Sequence, residues 1–186
     1  MDRKRILNAG CGDDSYGTHF IDIYPKRPEV VKCNVEEEEV PFPPNSFDEV
    51  YAKFIFEHMK NPGEFLKKCL RVLKKGGRLT VITDNAGCWV WYFPLKFLYS
   101  LQHYDNSVRE GAMDRHYSIY TTLHLKNHLL AAGFKNVGVN YMWFENMTTS
   151  ASKNFLFTLL TGFSRLVSFL APKKNSWPHL VGVGYK

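Results

Sequence analysis

The sequence predicts an α/β fold built on a mostly parallel sheet, and three observations carry that prediction. Short apolar or β-branched runs alternate with stretches of helical period. A glycine turn, Gly10-Cys11-Gly12, ends the first run. An acid, Asp22, stands at the end of the second. With 186 residues, the chain has room for one domain with a real core and too little for two ordinary ones. Residues 1–186 therefore read as a single domain, with a front half over 1–86 and a back half over 87–186.

Taken in order, Arg5 to Ala9 reads as a buried strand, His19 to Ile23 as a second ended before Pro25, and Val30 to Cys33 as a third. The acidic run Glu36 to Glu39 is solvated surface, and Pro41 to Asn45 is a turn-rich connection. Phe47 to Ala52 is a fourth strand. Pro62 opens a helix whose apolar positions are Phe65, Leu66, Cys69, Leu70, Val72 and Leu73. Lys74-Lys75 in its last turn and Gly76-Gly77 after it predict its end. Leu79 to Thr83 is the fifth strand, Leu123 to Ala132 a helix stopped by Gly133, Phe134 to Phe144 the sixth strand and Leu180 to Tyr185 the seventh.

Charge divides the two halves. Residues 1–86 hold 14 basic and 14 acidic side chains; residues 87–186 hold 10 and 4, the whole net charge of +6. All four tryptophans also lie in the back half. A basic, aromatic half points to an anionic or membrane-surface partner. Two of its segments exceed a minimal alternation: the aromatic stretch Trp89 to Tyr99, and an insert of about 145–178 before the last strand, with a helix over Asn154 to Ala171. In that helix Thr158, Thr161, Gly162 and Arg165 form a polar stripe on an otherwise apolar surface. A central Arg165 argues against a membrane span, leaving core packing, a lid, a dimer face or a membrane-surface helix. The four dispersed cysteines fit neither a zinc site nor a disulfide framework, which suits a reducing cytoplasm, and the N-terminus leaves no room for a signal peptide.

In an open α/β sheet the ligand lies beyond the carboxyl ends of the strands, beside strand one, and an acid ending strand two can accept from ribose hydroxyls. At this point a resemblance enters. Ile6 to Gly12, Ile21-Asp22-Ile23, Pro41 to Tyr51, Glu57-His58 and Arg71 to Leu79, in that order and spacing, resemble the class I S-adenosylmethionine-dependent methyltransferases, type 11 branch. Ser118 to Val137 resembles that branch's later helix and strand. The resemblance implies a Rossmann-like, seven-stranded sheet with the last strand antiparallel, and S-adenosylmethionine as cofactor.

Position by position, it implies that Gly10, Cys11 and Gly12 lie against the methionine portion, that Asp22 binds the ribose, and that Ile23 lies beside the adenine. Asn34 and Val35 follow strand three at the adenine; the family usually has Asp at the first, and Asn can still donate and accept. Lys53 and Phe54 border the methionine end, and His58 matches the family's Glu-His pair. Only eight residues separate Gly12 from Ile21, too few for a helical crossover, which normally takes about a dozen residues or more. The first crossover is therefore a shortened loop, and the aromatic stretch and the 154–171 helix are the candidates to cover the site.

Methyl transfer depends on alignment, and a base is needed only where the acceptor must lose a proton. His103, Tyr104, His116 and Tyr117 lie in the substrate half. His116-Tyr117, just before the Ser118 helix entry, is the candidate proton acceptor or substrate contact. The expected acceptor is small, anionic or lipid-linked, with a peripheral membrane contact in view. A nicotinamide oxidoreductase is disfavoured because Ser15 stands where its fingerprint needs a third glycine. A nucleic-acid methyltransferase lacks its motif after strand four, where Tyr51-Ala52-Lys53-Phe54 stands, though RNA remains an alternative acceptor. A cofactor-binding, non-catalytic relative is the other alternative. No metal site is expected.

Overall fold

The structure, a computed structural model, describes residues 4–88, 116–143, 166 and 177–186. Seven strands form one sheet: β1 (Ile6–Ala9), β2 (His19–Asp22), β3 (Val30–Lys32), β4 (Phe47–Lys53), β5 (Leu73–Asp84), β6 (Lys135–Met142) and β7 (His179–Tyr185). Their spatial order is β3-β2-β1-β4-β5-β7-β6. β7 runs antiparallel to both of its neighbours, and the other pairings are parallel. The Rossmann-like sheet with an antiparallel last strand is thus the architecture observed.

Two helices among the described residues cover one face. α1 (Pro62–Val72) starts with proline where a missing N–H costs nothing, and it buries Phe65, Leu66, Cys69 and Val72. α2 (Thr122–Ala131) is capped by the Thr121 hydroxyl, which accepts from the His124 N–H, and it buries Leu125 and Leu129. Against these lie Val50, Ala52, Leu79, Val81 and Leu180, all buried in one apolar core. Gly182 lets α2 approach β7: a Cβ there would stand 3.0 Å from a Leu125 methyl.

No helix joins β1 to β2, β2 to β3, or β3 to β4. The shortened first crossover is a turn whose Thr18 hydroxyl donates back to the Ile6 carbonyl and accepts the Ile6 N–H. With no helix from these crossovers, the opposite face of β4 and β5 carries polar residues. There Glu49, 1% exposed, takes hydrogen bonds from Lys4, Arg78 and the Thr80 hydroxyl.

The end of α1 differs from the sequence expectation. The helix stops at Val72, and Leu73 is already extended and paired with Phe47. Lys74 to Gly77 form a bulge inside β5, because the register steps from Phe47–Leu73 to Glu49–Arg78. Gly76 supplies the positive φ of 76° that the bulge needs. Lys74 binds Asp48 and Lys186 donates to the Leu73 carbonyl, so these partners, not a helix cap, satisfy the segment.

The aromatic stretch 89–99, His103 and Tyr104, and most of the 145–178 insert, including its polar stripe, lie outside the described residues. Among the described residues no helix is long and apolar enough to cross a membrane.

Candidate active site at the carboxyl ends of the strands

The carboxyl ends of β1, β2, β4 and β5 bring the site residues together. After β1 the chain turns through Gly10 and Gly12, with φ of 67° and 49°, a region that favours glycine. The Gly10 and Cys11 N–H groups donate to the Ile21 carbonyl, which fastens the turn to β2. A Cβ on Gly10 would stand 2.2 Å from the Ile55 side chain, so this glycine makes room for the residue that follows β4. A Cβ on Gly12 would meet nothing within 4 Å, so its outer side is open.

Asp22 closes the loop from the other side. One carboxylate oxygen accepts the Gly12 N–H at 2.8 Å and the other the Tyr24 N–H at 2.8 Å. Each oxygen keeps a further lone pair for a hydroxyl donor. Ile23 follows, half-buried. Cys11 is buried, and burial followed by the Asp22 charge pushes its thiol up, so it packs and offers no thiolate. Beyond β3, the Asn34 carbonyl oxygen accepts the Glu36 N–H in a side-chain turn, and Val35 joins the apolar core.

At the end of β4, the Lys53 ammonium reaches Asp14 of the glycine loop at 3.3 Å. Phe54 holds a φ of 52° while its N–H donates to the Ile82 carbonyl of β5. A non-glycine residue in that region is uncommon and concentrates at functional turns. A 3-10 turn, Phe56–His58, follows. In it the buried Glu57 accepts the Thr83 hydroxyl at 2.8 Å, and the Glu57 carbonyl accepts the N–H groups of Tyr117 and Ser118.

Those last bonds carry the candidate acceptor residues to the site. The His116 ring meets the His58 ring edge-on at 4.6 Å. Tyr117 is exposed, with the Lys60 ammonium over its ring. The structure thus places Gly10, Gly12, Asp22, Lys53, Phe54, His58, His116 and Tyr117 along one edge. Cys11 and Val35 are the candidates whose side chains are buried.

Sequence reasoning missed Asp84 and His179. Asp84 ends β5, and its carboxylate lies between His116 and His179, with Nδ1–oxygen distances of 3.5 and 3.3 Å. An acid closing a β-branched strand was the available signal, the same one that marks Asp22. Among the described residues no group of three or more such side chains is arranged to hold a metal ion.

An open glycine turn beside a strand-end carboxylate with spare acceptor capacity suits a nucleoside ligand joined to an amino-acid-like tail. The comparisons agree. Residues 18–81 match the family model described as a methyltransferase domain. A probable S-adenosylmethionine-dependent methyltransferase of Mycobacterium tuberculosis strain H37Rv is 31% identical over 102 residues, covering 44% of this chain; the match spans 36% of that relative's length. Among solved structures, a possible histamine N-methyltransferase from Thermotoga maritima superimposes with a TM-score of 0.64 at 18% identity, over 100% of this chain and 84% of that one. A Haemonchus contortus phosphoethanolamine N-methyltransferase, solved with S-adenosyl-L-methionine, gives 0.60 at 17% identity, over 98% and 48%. The matched segment, the strand order and the glycine turn together make this chain similar to S-adenosylmethionine-dependent methyltransferases, and the match spans about a third of the length of the curated relative.

Proposed function

We propose that the chain transfers a methyl group from S-adenosylmethionine to a small acceptor that is anionic or lipid-linked. The carrying observation is the glycine turn clamped to Asp22, with Gly12 open on its outer side. When bound, S-adenosylmethionine supplies an electrophilic methyl on a sulfonium. The chain's own contribution is to hold and align. Gly10, Cys11 and Gly12 would receive the methionine portion, Asp22 the ribose, and Ile23 and Asn34 the adenine. Lys53 and Phe54 border the reacting end, and the edge of an aromatic site favours a cationic centre over its ring faces. His116 and Tyr117 would meet the acceptor, His116 as proton acceptor where the acceptor must lose one.

The charge of residues 87–186, 10 basic against 4 acidic, supports the anionic acceptor and a peripheral membrane contact. Isothermal calorimetry tests the first half of this reading: S-adenosylmethionine should bind the folded chain, and absence of heat and of a thermal shift would overturn it. Co-sedimentation tests the second. Binding to vesicles with anionic lipid is expected, and equal recovery with and without vesicles would remove the membrane contact.

The absence of helices from the first three crossovers favours one other reading, a cofactor-binding relative without turnover. Binding of S-adenosylmethionine with no methyl transfer to a broad panel of amines, alcohols, phenols and carboxylates would select it.

A further inference from the structure

A cavity of about 360 Å³ lies at the opposite end of the sheet from the glycine turn, where β4 and β5 begin and β7 ends. Arg78 borders it, and Asp84 closes the same strand at the other end. At roughly 3.3 Å per residue, that length of β5 separates the two ends by about 20 Å.

The walls are cationic. Lys4, Lys74, Lys75 and Arg78 border the cavity with one acid, Asp48. A second acid, Glu49, is held by Arg78. Both acids are already engaged. Asp48 takes the Lys74 ammonium on one oxygen and the Arg5 N–H on the other. Glu49 takes Lys4, Arg78 and the hydroxyls of Thr80 and Tyr16. Four cations against two carboxylates leave two positive charges unbalanced. Arg5 and Lys186, the other charged side chains tied to this end, are cations as well. Donors remain too. Lys75 pairs with no carboxylate among the described residues. Both Arg78 bonds to Glu49 come from Nη2, and its Nε is buried with no hydrogen-bond partner.

The bulge in β5 gathers these groups. Along a regular strand Lys74 and Lys75 would point to opposite faces. The register step between Leu73 and Arg78 breaks that alternation, and both lysines border the one cavity. At Gly76 a Cβ would meet nothing within 4 Å, so a ligand can come against the backbone there. A count along the sequence hides the cluster, because acids that cancel it, such as Asp14 and Asp22, stand at the glycine turn.

We propose that this cavity binds a phosphate group. Two unbalanced charges match a phosphomonoester, which carries roughly −1.5 to −2 at neutral pH, whereas a carboxylate would neutralise only half of them. Its oxygens suit an Arg donor beside lysines that act as point charges. The phosphate belongs to a soluble small molecule or to a lipid headgroup. The site is distinct from the glycine turn and does not depend on methyl transfer.

Amide NMR of the whole nitrogen-labelled chain tests it, with sodium phosphate added beside sodium chloride at equal ionic strength. Phosphate should shift the amides of residues 74–78 and 185 to saturation where chloride does not. Equal shifts in the two salts, or shifts confined to other residues, overturn the proposal. Lys75→Glu reverses the charge that no carboxylate holds, so the fold should persist and phosphate should bind roughly tenfold more weakly. Lys75→Arg should bind as the wild type does. Unchanged affinity in Lys75→Glu overturns the proposal, and if that variant does not melt cooperatively the wild-type titration still decides.

Vesicles of phosphatidylcholine with phosphatidate identify the source. Co-sedimentation that Lys75→Glu weakens assigns a lipid headgroup; co-sedimentation that is absent, or unchanged by it, assigns a soluble phosphomonoester. Calorimetry keeps this site apart from the proposed activity. Lys75→Glu should bind S-adenosylmethionine with the wild-type heat, and a wild-type chain that binds none removes methyl transfer while the phosphate titration alone judges this cavity.

Discussion

The two faces of β4 and β5 solve the same problem differently. On one, Val50, Ala52, Leu79 and Val81 are fully buried beneath α1 and α2. On the other, Glu49, Tyr51, Lys53, Arg78, Thr80 and Ile82 line a cavity of about 490 Å³, together with Asp14 and Tyr16 of the glycine loop and Val181 and Val183 of β7. The first face follows from long crossovers, which return a helix to the sheet. The second receives no helix from the first three crossovers. Among the described residues no helix lies on this face, and a buried carboxylate with four donors, Lys4, Tyr16, Arg78 and Thr80, stands there.

The contrast makes graded predictions. The largest effect belongs to the covered face: Leu79→Ala should cost about 3 kcal/mol, read as a lower urea midpoint at unchanged slope. Next is Glu49→Ala on the polar face. Removing a buried partner leaves Arg78 and Lys4 unpaired, but both are partly exposed, so about 2 kcal/mol is expected rather than the full cost of an orphaned buried charge. Equal costs at the two positions would erase the distinction.

Gly12→Ala should be smaller in stability, about 1 kcal/mol for a side chain at positive φ, since its Cβ meets no neighbour. Its effect on cofactor binding should exceed its effect on folding, and calorimetry beside thermal melting would show the split. The smallest effect is pH dependence. Burial, then the Arg5 charge, holds His19 below its ordinary 6.5, and burial, then the His124 charge, does the same to His128. Their contribution is complete above pH 6.5 and is lost as pH falls through the lowered folded values. Glu49 joins later in acid: burial raises its carboxyl, but hydrogen bonds from Lys4 and Arg78 outweigh that and hold it below 4.5. A modest fall in melting temperature from pH 7 toward 5 is expected, and His19→Gln with His128→Gln should flatten it.

Much of this was legible locally. The glycine turn, the strand-end acid and the short first crossover are readable because each is a signal within a dozen residues. The end of α1 was misread because Lys74-Lys75-Gly76-Gly77 has the composition of a helix stop, while the pairing of Leu73 with Phe47 is decided across the sheet. The Glu49 network escaped for the same reason, joining residues 29 and 45 positions apart. So did the cluster at Asp84, where His116 and His179 come from either side of β6. Local pattern finds the glycine turn, whose parts are consecutive; the surroundings of Asp84 and Glu49 are assembled from distant residues.

The placement of β7 between β5 and β6 bears on how the chain is made. Among the described residues, β6 joins the sheet only through β7, and β5 pairs on that side with β7 alone. During synthesis, β1 to β5 can associate as they emerge, but the antiparallel half must wait for residues 179–185. Until then β5 presents an unpaired edge rich in Val, Ile and Thr, the kind of surface that recruits other chains. Closure by β7 is thus a late, long-range step, and the rate of refolding and the yield of soluble protein should both be governed by it.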